Sequence, residues 1–138
     1  MKLFVDTWGW LVLADLKDPL HSKTAECYKE LSGKEGRVLT SNFVLAETMT
    51  LLFRRRPYSE ALRFSMGILK SPFIRVETVT DPRFRKAFEL RQRFSDKPKI
   101  SFTDLSSMAL MMELKLTDIL TADAHFTQVG LGFHTMPN

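Results

Sequence analysis

Four carboxylates stand where burial makes a charge expensive. Asp6 closes the apolar run Leu3-Phe4-Val5, and Asp123 closes Ile119-Leu120-Thr121-Ala122. Glu47 lies at the end of Asn42-Phe43-Val44-Leu45-Ala46, and Asp104 follows Ser101-Phe102-Thr103 at the opening of a very apolar segment. A carboxylate taken out of water must be paired with a cation, protonated or bound to a metal. Four such groups without a cysteine or histidine cluster beside them offer hard oxygen donors, the set that suits Mg²⁺ or Mn²⁺. The chemistry in view is that of a bound divalent ion, which polarises an oxyanion and lowers the pKa of its water.

Short β-branched runs alternate with longer amphipathic ones, and this alternation predicts parallel βαβ units. Strands are predicted near 2–6, 37–41, 74–79, 118–122 and 133–136, and helices near 8–15, 20–31, 42–55, 58–70, 82–94 and 102–115. Pro57 and Pro72 each stop a helix at about the preceding residue, and Gly33 and Gly36 punctuate the exit from the second helix. The 102–115 segment is apolar nearly all round, which predicts a buried helix. With no repeat, low-complexity tract or linker, residues 1–138 read as one α/β domain: a central, mostly parallel sheet of about five strands flanked by helices. In such a sheet, ligands bind beyond the carboxyl ends of the strands where strand order reverses. Asp6 and Asp123 both end predicted strands and lie side by side if those strands are neighbours. Asp104 joins them if its helix packs against the same rim.

Each acid also has a purely structural reading. Asp6 is placed to cap a helix, Asp104 stands three residues after Ser101 as in a capping box, and Asp123 can begin a turn. Glu47 is hardest to explain this way, because its neighbours Phe43, Val44 and Leu51 form a core-facing stripe; Arg54 or Arg55 is the available counter-charge. At 138 residues, with 44% hydrophobic and 26% charged content, the chain can bury a core unaided. Cys27 is the single cysteine, which points away from a disulfide framework and toward the cytoplasm. The opening segment meets an acid at position 6, too early for a signal peptide, and no apolar run approaches the roughly 20 residues of a membrane span. A net charge of +4 and a pI near 9.4 lean toward a polyanionic partner.

With these positions in hand, the chain resembles a PIN-domain nuclease, and more narrowly the VapC-type toxins of toxin–antitoxin modules. The resemblance is carried by Phe4-Val5-Asp6-Thr7, Thr40-Ser41-Asn42-Phe43-Val44-Leu45-Ala46-Glu47, Ser101-Phe102-Thr103-Asp104 and Leu120-Thr121-Ala122-Asp123-Ala124-His125-Phe126, in the family's order. It implies that Asp6, Glu47, Asp104 and Asp123 are the acidic quartet of an Mg²⁺- or Mn²⁺-dependent endoribonuclease. Asp6, Asp104 and Asp123 then take the metal and its water shell, and Glu47 either completes that shell or orients the attacking water. Thr7 and Thr121 match hydroxyl positions near the metal. The implied partners are RNA, a cognate antitoxin and a second copy of the chain. The stretch Trp8-Gly9-Trp10 departs from the small aliphatic residues usual in the family and offers an apolar docking surface.

Arg54, Arg55 and Arg56 at the end of the Glu47 helix are candidate RNA contacts, as are Lys97 and Lys99 in a second basic group with Arg83, Arg85, Lys86, Arg91 and Arg93. Phe84, Phe88 and Phe94 are expected in the core, and His125 is expected to be structural or solvated. A haloacid-dehalogenase-like phosphatase also begins with a strand-ending aspartate but needs a second one where this chain has Trp8. A catalytically silent RNA-binding or RNA-processing PIN domain is the other alternative, against which the presence of all four acids speaks.

Overall fold

The sheet forms from five short strands: β1 (Leu3–Val5), β2 (Val38–Ser41), β3 (Ile74–Glu77), β4 (Asp118–Leu120) and β5 (His134–Met136). In this computed structural model, which describes residues 2–32 and 37–137, their order is β3-β2-β1-β4-β5 and every pair is parallel. Gly33 and Gly36 lie outside the described residues. β1 and β2 are buried at every position, as strands covered by helices on both faces must be. Strand order reverses at the β1–β4 pair, where Val5 lies opposite Leu120. The two predicted strand ends are therefore neighbours.

Seven helices are present among the described residues: α1 (Thr7–Ala14), α2 (His21–Ser32), α3 (Asn42–Arg55), α4 (Tyr58–Lys70), α5 (Asp81–Arg93), α6 (Phe102–Leu114) and α7 (His125–Gln128). The first six fall where sequence periodicity predicts them, within a residue at each end. The seventh is a single turn, too short for a 3.6-residue period to register. Ser41 caps α3 by accepting from the Val44 amide at 3.1 Å, and Ser101 caps α6 by accepting from the Asp104 amide at 3.0 Å. α6 is buried along most of its length, although Met112 is exposed. It leads into the start of β4, so its own beginning, with Asp104, stands at the opposite, carboxyl rim of the sheet.

Two local features hold the rim in place. A Cβ at Gly9 would lie 2.7 Å from the Leu120 carbonyl oxygen and 3.0 Å from Val5 Cγ1, so α1 crosses the β1–β4 pair at a distance only glycine allows. Trp10 is buried beside it; its indole N–H donates to Thr40 Oγ1 at 3.1 Å, and that hydroxyl donates to the Val5 carbonyl at 3.0 Å. On the other side, the Arg91 guanidinium donates to the carbonyls of Phe94, Lys97 and Ile100 at 2.7–2.8 Å. This clamp fixes the turn between α5 and α6 and hence the entry into the Asp104 helix.

Candidate metal centre

Asp6 leaves β1 at the switch point and occupies the N-cap position of α1, yet its side chain makes no capping hydrogen bond. It is buried instead, with Oδ2 accepting from the Thr121 hydroxyl at 2.9 Å and Oδ1 buried without any partner. Thr121 Oγ1 in turn accepts from the Asp123 amide at 3.1 Å, so one hydroxyl ties the ends of β1 and β4 together. Asp123 does begin a turn, its Oδ1 accepting from the His125 amide at 2.9 Å, but the carboxylate still faces Asp104. Donor atoms of Asp104, Asp123 and His125 all lie within 4.8 Å of one another.

The electrostatics of the site follow from this convergence. Burial raises Asp6 from 3.8 to about 6, with Glu47 and Asp123 adding to the rise and the Thr7 amide and Thr121 hydroxyl opposing it. Burial likewise raises Asp104 to about 8, reinforced by the charges of Asp6 and Asp123 and by a hydrogen bond with Asp123. Two acids in hydrogen-bond contact share a proton when nothing else neutralises them. Glu47 stands slightly apart and half-buried, in a groove of about 450 Å³ that it shares with Phe43, Ala46, Thr50, Leu51 and Thr103. Arg54 and Arg55 do not neutralise it; among the described residues Glu47 has no ion pair. Hard oxygen donors, a buried carboxylate oxygen lacking any partner and raised pKa values at Asp6 and Asp104 together fit a divalent cation.

The basic residues are more dispersed than the sequence suggests. Arg54 and Arg55 are exposed but lie about 10 Å beyond Glu47 along the axis of α3. Arg56 is engaged with Asp15 and Glu60. Lys97 pairs with Asp96 and lies over the Phe94 ring, whereas Lys99 is exposed two residues before the cap of α6. In the same basic group, Arg83 bridges Glu77 and Glu113, Arg85 pairs with Asp81, and Lys86 with Glu89.

One expectation is corrected. Phe84 and Phe88 are not core residues but are 43% and 53% exposed, and Phe84 packs against Phe43 and Phe102 in an aromatic strip on the outer side of α5. His134 Nδ1 lies 3.4 Å from Asp118 Oδ1, at the far end of the β4–β5 pair. His125 is held against the carboxylates, with Nδ1 2.9 Å from Asp123 Oδ1. The signal for His125 was its place two residues after a strand-ending aspartate, where a tight turn folds side chain and backbone onto the same oxygen.

Residues 3–131 match the PIN domain family. The chain belongs to that family. The PIN fold at this switch point removes the phosphatase alternative. Its curated relatives include the 23S rRNA-specific endonuclease VapC20 of Mycobacterium tuberculosis, 34% identical over 128 residues, which span 93% of this chain and 94% of that protein. A VapC ribonuclease of Archaeoglobus fulgidus is 30% identical over 134 residues, 96% of this chain and 83% of that one. Among solved structures, M. tuberculosis VapC20, described as a Sarcin-Ricin loop cleaving toxin, superposes with a TM-score of 0.82 at 32% identity, covering 94% of this chain and 95% of that one. The DNA-bound VapBC of Salmonella typhimurium shares the PIN fold at a TM-score of 0.74 and 13% identity, over 98% of this chain and 96% of that one. PIN-domain nucleases of the VapC type are metal-dependent. Among the described residues of this PIN domain, no helix is long and apolar enough to cross a membrane.

Proposed function

We propose that this PIN domain is a divalent-metal-dependent endoribonuclease, the toxin of a toxin–antitoxin pair acting in the cytoplasm, with Asp6, Glu47, Asp104 and Asp123 as its working residues. The observation that supports this most is the buried, unpartnered Asp6 Oδ1 at the sheet's switch point, close enough to Asp104 for its charge to raise that acid's pKa. Asp6, Asp104 and Asp123 would hold Mg²⁺ or Mn²⁺. That ion supplies charge neutralisation at the scissile phosphate and an acidified water. Thr121 fixes the Asp6 carboxylate in one orientation, leaving Oδ1 as its free donor. Glu47 has no partner and faces its groove, so it is the carboxylate available to orient the attacking water and accept its proton. Arg54, Arg55 and Lys99 are exposed and without ion pairs among the described residues, which suits contacts to the RNA backbone.

The likeness to VapC20 makes large-subunit ribosomal RNA the substrate of choice for testing. For the antitoxin we propose a groove of about 780 Å³ between α1, α2 and α4, which is lined by none of the four carboxylates. It is walled by Trp10, Leu13, Tyr28, Phe64 and Ile68, with Arg56 and Arg63 at its edge. An apolar segment flanked by acids suits that lining. The exposed Phe84 and Phe88 strip is the face proposed for a second copy in a homodimer. The experiment is incubation of purified protein with ribosomal RNA in Mg²⁺, followed by mapping of the cleaved ends. Discrete Mg²⁺-dependent cuts support the reading; RNA that is bound but left intact means a silent PIN domain.

A further inference from the structure

We propose that His125 adds an imidazole nitrogen to the metal centre. The ion is then held by a mixed set in which His125 joins Asp6, Asp104 and Asp123, and the site takes first-row transition ions such as Mn²⁺ more tightly than Mg²⁺. This rests on the metal-centre reading above and concerns which atoms complete that centre. One donor atom from each of Asp104, Asp123 and His125 lies within 4.8 Å of the others. The Nδ1-to-Oδ1 spacing between His125 and Asp123 is 2.9 Å. Adjacent ligands of an octahedral ion with bonds of about 2.1 Å stand about 3.0 Å apart, so this pair already has the spacing of one edge of a coordination shell.

The ring is placed there by the chain itself. The His125 amide donates to Asp123 Oδ1 at 2.9 Å, so the turn that opens α7 brings the ring and the backbone N–H to one oxygen. Without metal, the Nδ1–H tautomer satisfies that oxygen; the other tautomer presents a lone pair in the same direction. The second observation that calls for a ligand is Asp6, buried, with Oδ1 unpartnered and its charge felt by Asp104. Imidazole is a good ligand for transition ions, whereas Mg²⁺ prefers oxygen throughout. An all-carboxylate site would lack that bias.

The test is electron spin-echo envelope modulation of the whole protein loaded with Mn²⁺, in wild type and His125→Ala, alongside titrations of Mn²⁺ and Mg²⁺. The expected result is ¹⁴N modulation of a bound imidazole in wild type that disappears in the variant. The Mn²⁺ Kd should weaken by roughly tenfold, and the Mg²⁺ Kd should change much less. Mn²⁺ bound without ¹⁴N modulation overturns the inference and leaves an all-oxygen centre standing. Equal weakening of both ions assigns His125 to positioning Asp123 alone, and modulation that survives in His125→Ala comes from another histidine; both overturn it. Binding of neither ion sinks the metal-centre reading as well. Should His125→Ala not fold, His125→Asn, which keeps a polar side chain but no imidazole, carries the same comparison.

Discussion

Replacing Asp104 by asparagine should stabilise the metal-free protein, and by an amount that grows with pH. Asp104 titrates at about 8 in the fold against 3.8 normally, chiefly through burial and then through the charges of Asp6 and Asp123. Between those two values the folded chain holds a proton that the unfolded chain has released. Stability therefore falls as pH rises through that window. Each pH unit is worth about 1.4 kcal/mol, so the loss from pH 3.8 to 7 would reach about 4 kcal/mol if Asp104 carried the whole shift alone. The site is partly open to solvent at Asp123, and screening there reduces the figure to about 2 kcal/mol. Asparagine keeps the size and removes the charge. Asp104→Asn should then melt roughly 6 °C above wild type in EDTA at pH 8, with much less difference at pH 5. Millimolar Mg²⁺ should raise the wild-type melting temperature by mass action and the variant's hardly at all. Thermal melts of both proteins at the two pH values, in EDTA and in Mg²⁺, give the comparison. An Asp104→Asn protein that melts no higher than wild type in EDTA at pH 8, with an undiminished Mg²⁺ shift, would refute the convergence of these acids.

Three further outcomes are expected. Attack by a metal-activated water leaves 5′-phosphate and 3′-hydroxyl ends; end-group analysis that finds 2′,3′-cyclic phosphates would point to histidine-based chemistry instead. Gly9→Ala places a methyl 2.7 Å from the Leu120 carbonyl and should lower stability by about 1–3 kcal/mol in denaturant melts; an unchanged midpoint would show that α1 can lift away. Arg54→Ala with Arg55→Ala should weaken RNA binding and flatten its salt dependence by roughly two counter-ions, whereas Arg56→Ala, which breaks pairs with Asp15 and Glu60, should leave the slope nearly unchanged.

Much of the fold was legible because local signals agree with the tertiary result. The Ser101 cap, the stop at Pro57 and the period of α3 each place a helix boundary without help from distant residues. The strands were legible because central parallel strands are apolar on both faces. The quartet was legible because acids that end apolar runs are rare, and the β1–β4 pairing then brings Asp6 and Asp123 to one point. What escaped depends on contacts that no spacing encodes. Phe84 and Phe88 look like core residues until the crossing of α5 over α6 turns them outward. Arg56, Arg83 and Lys86 look like a basic surface until their acidic partners arrive from other turns and elements. The contact of His125 with Asp123 escaped because it depends on a turn only two residues long, which carries no periodicity. Trp8-Gly9-Trp10 resembled a docking patch; in the fold Gly9 permits the close crossing of α1 and Trp10 is largely a core residue, with one edge toward the groove.

The most direct test of the carboxylate centre is cleavage of ribosomal RNA by wild type and by Asp6→Asn, each confirmed as folded, in Mg²⁺ and in EDTA. Asp6 is the residue of choice because its buried Oδ1 has no partner other than the proposed ion, and because the amide of asparagine can still meet the Thr121 hydroxyl. Wild type should cut in Mg²⁺ and stop in EDTA, and Asp6→Asn should bind RNA while cutting it at least about 100-fold more slowly. Wild-type cleavage that continues in EDTA, or an Asp6→Asn protein that cuts at the wild-type rate, would contradict a carboxylate-held metal as the agent of hydrolysis.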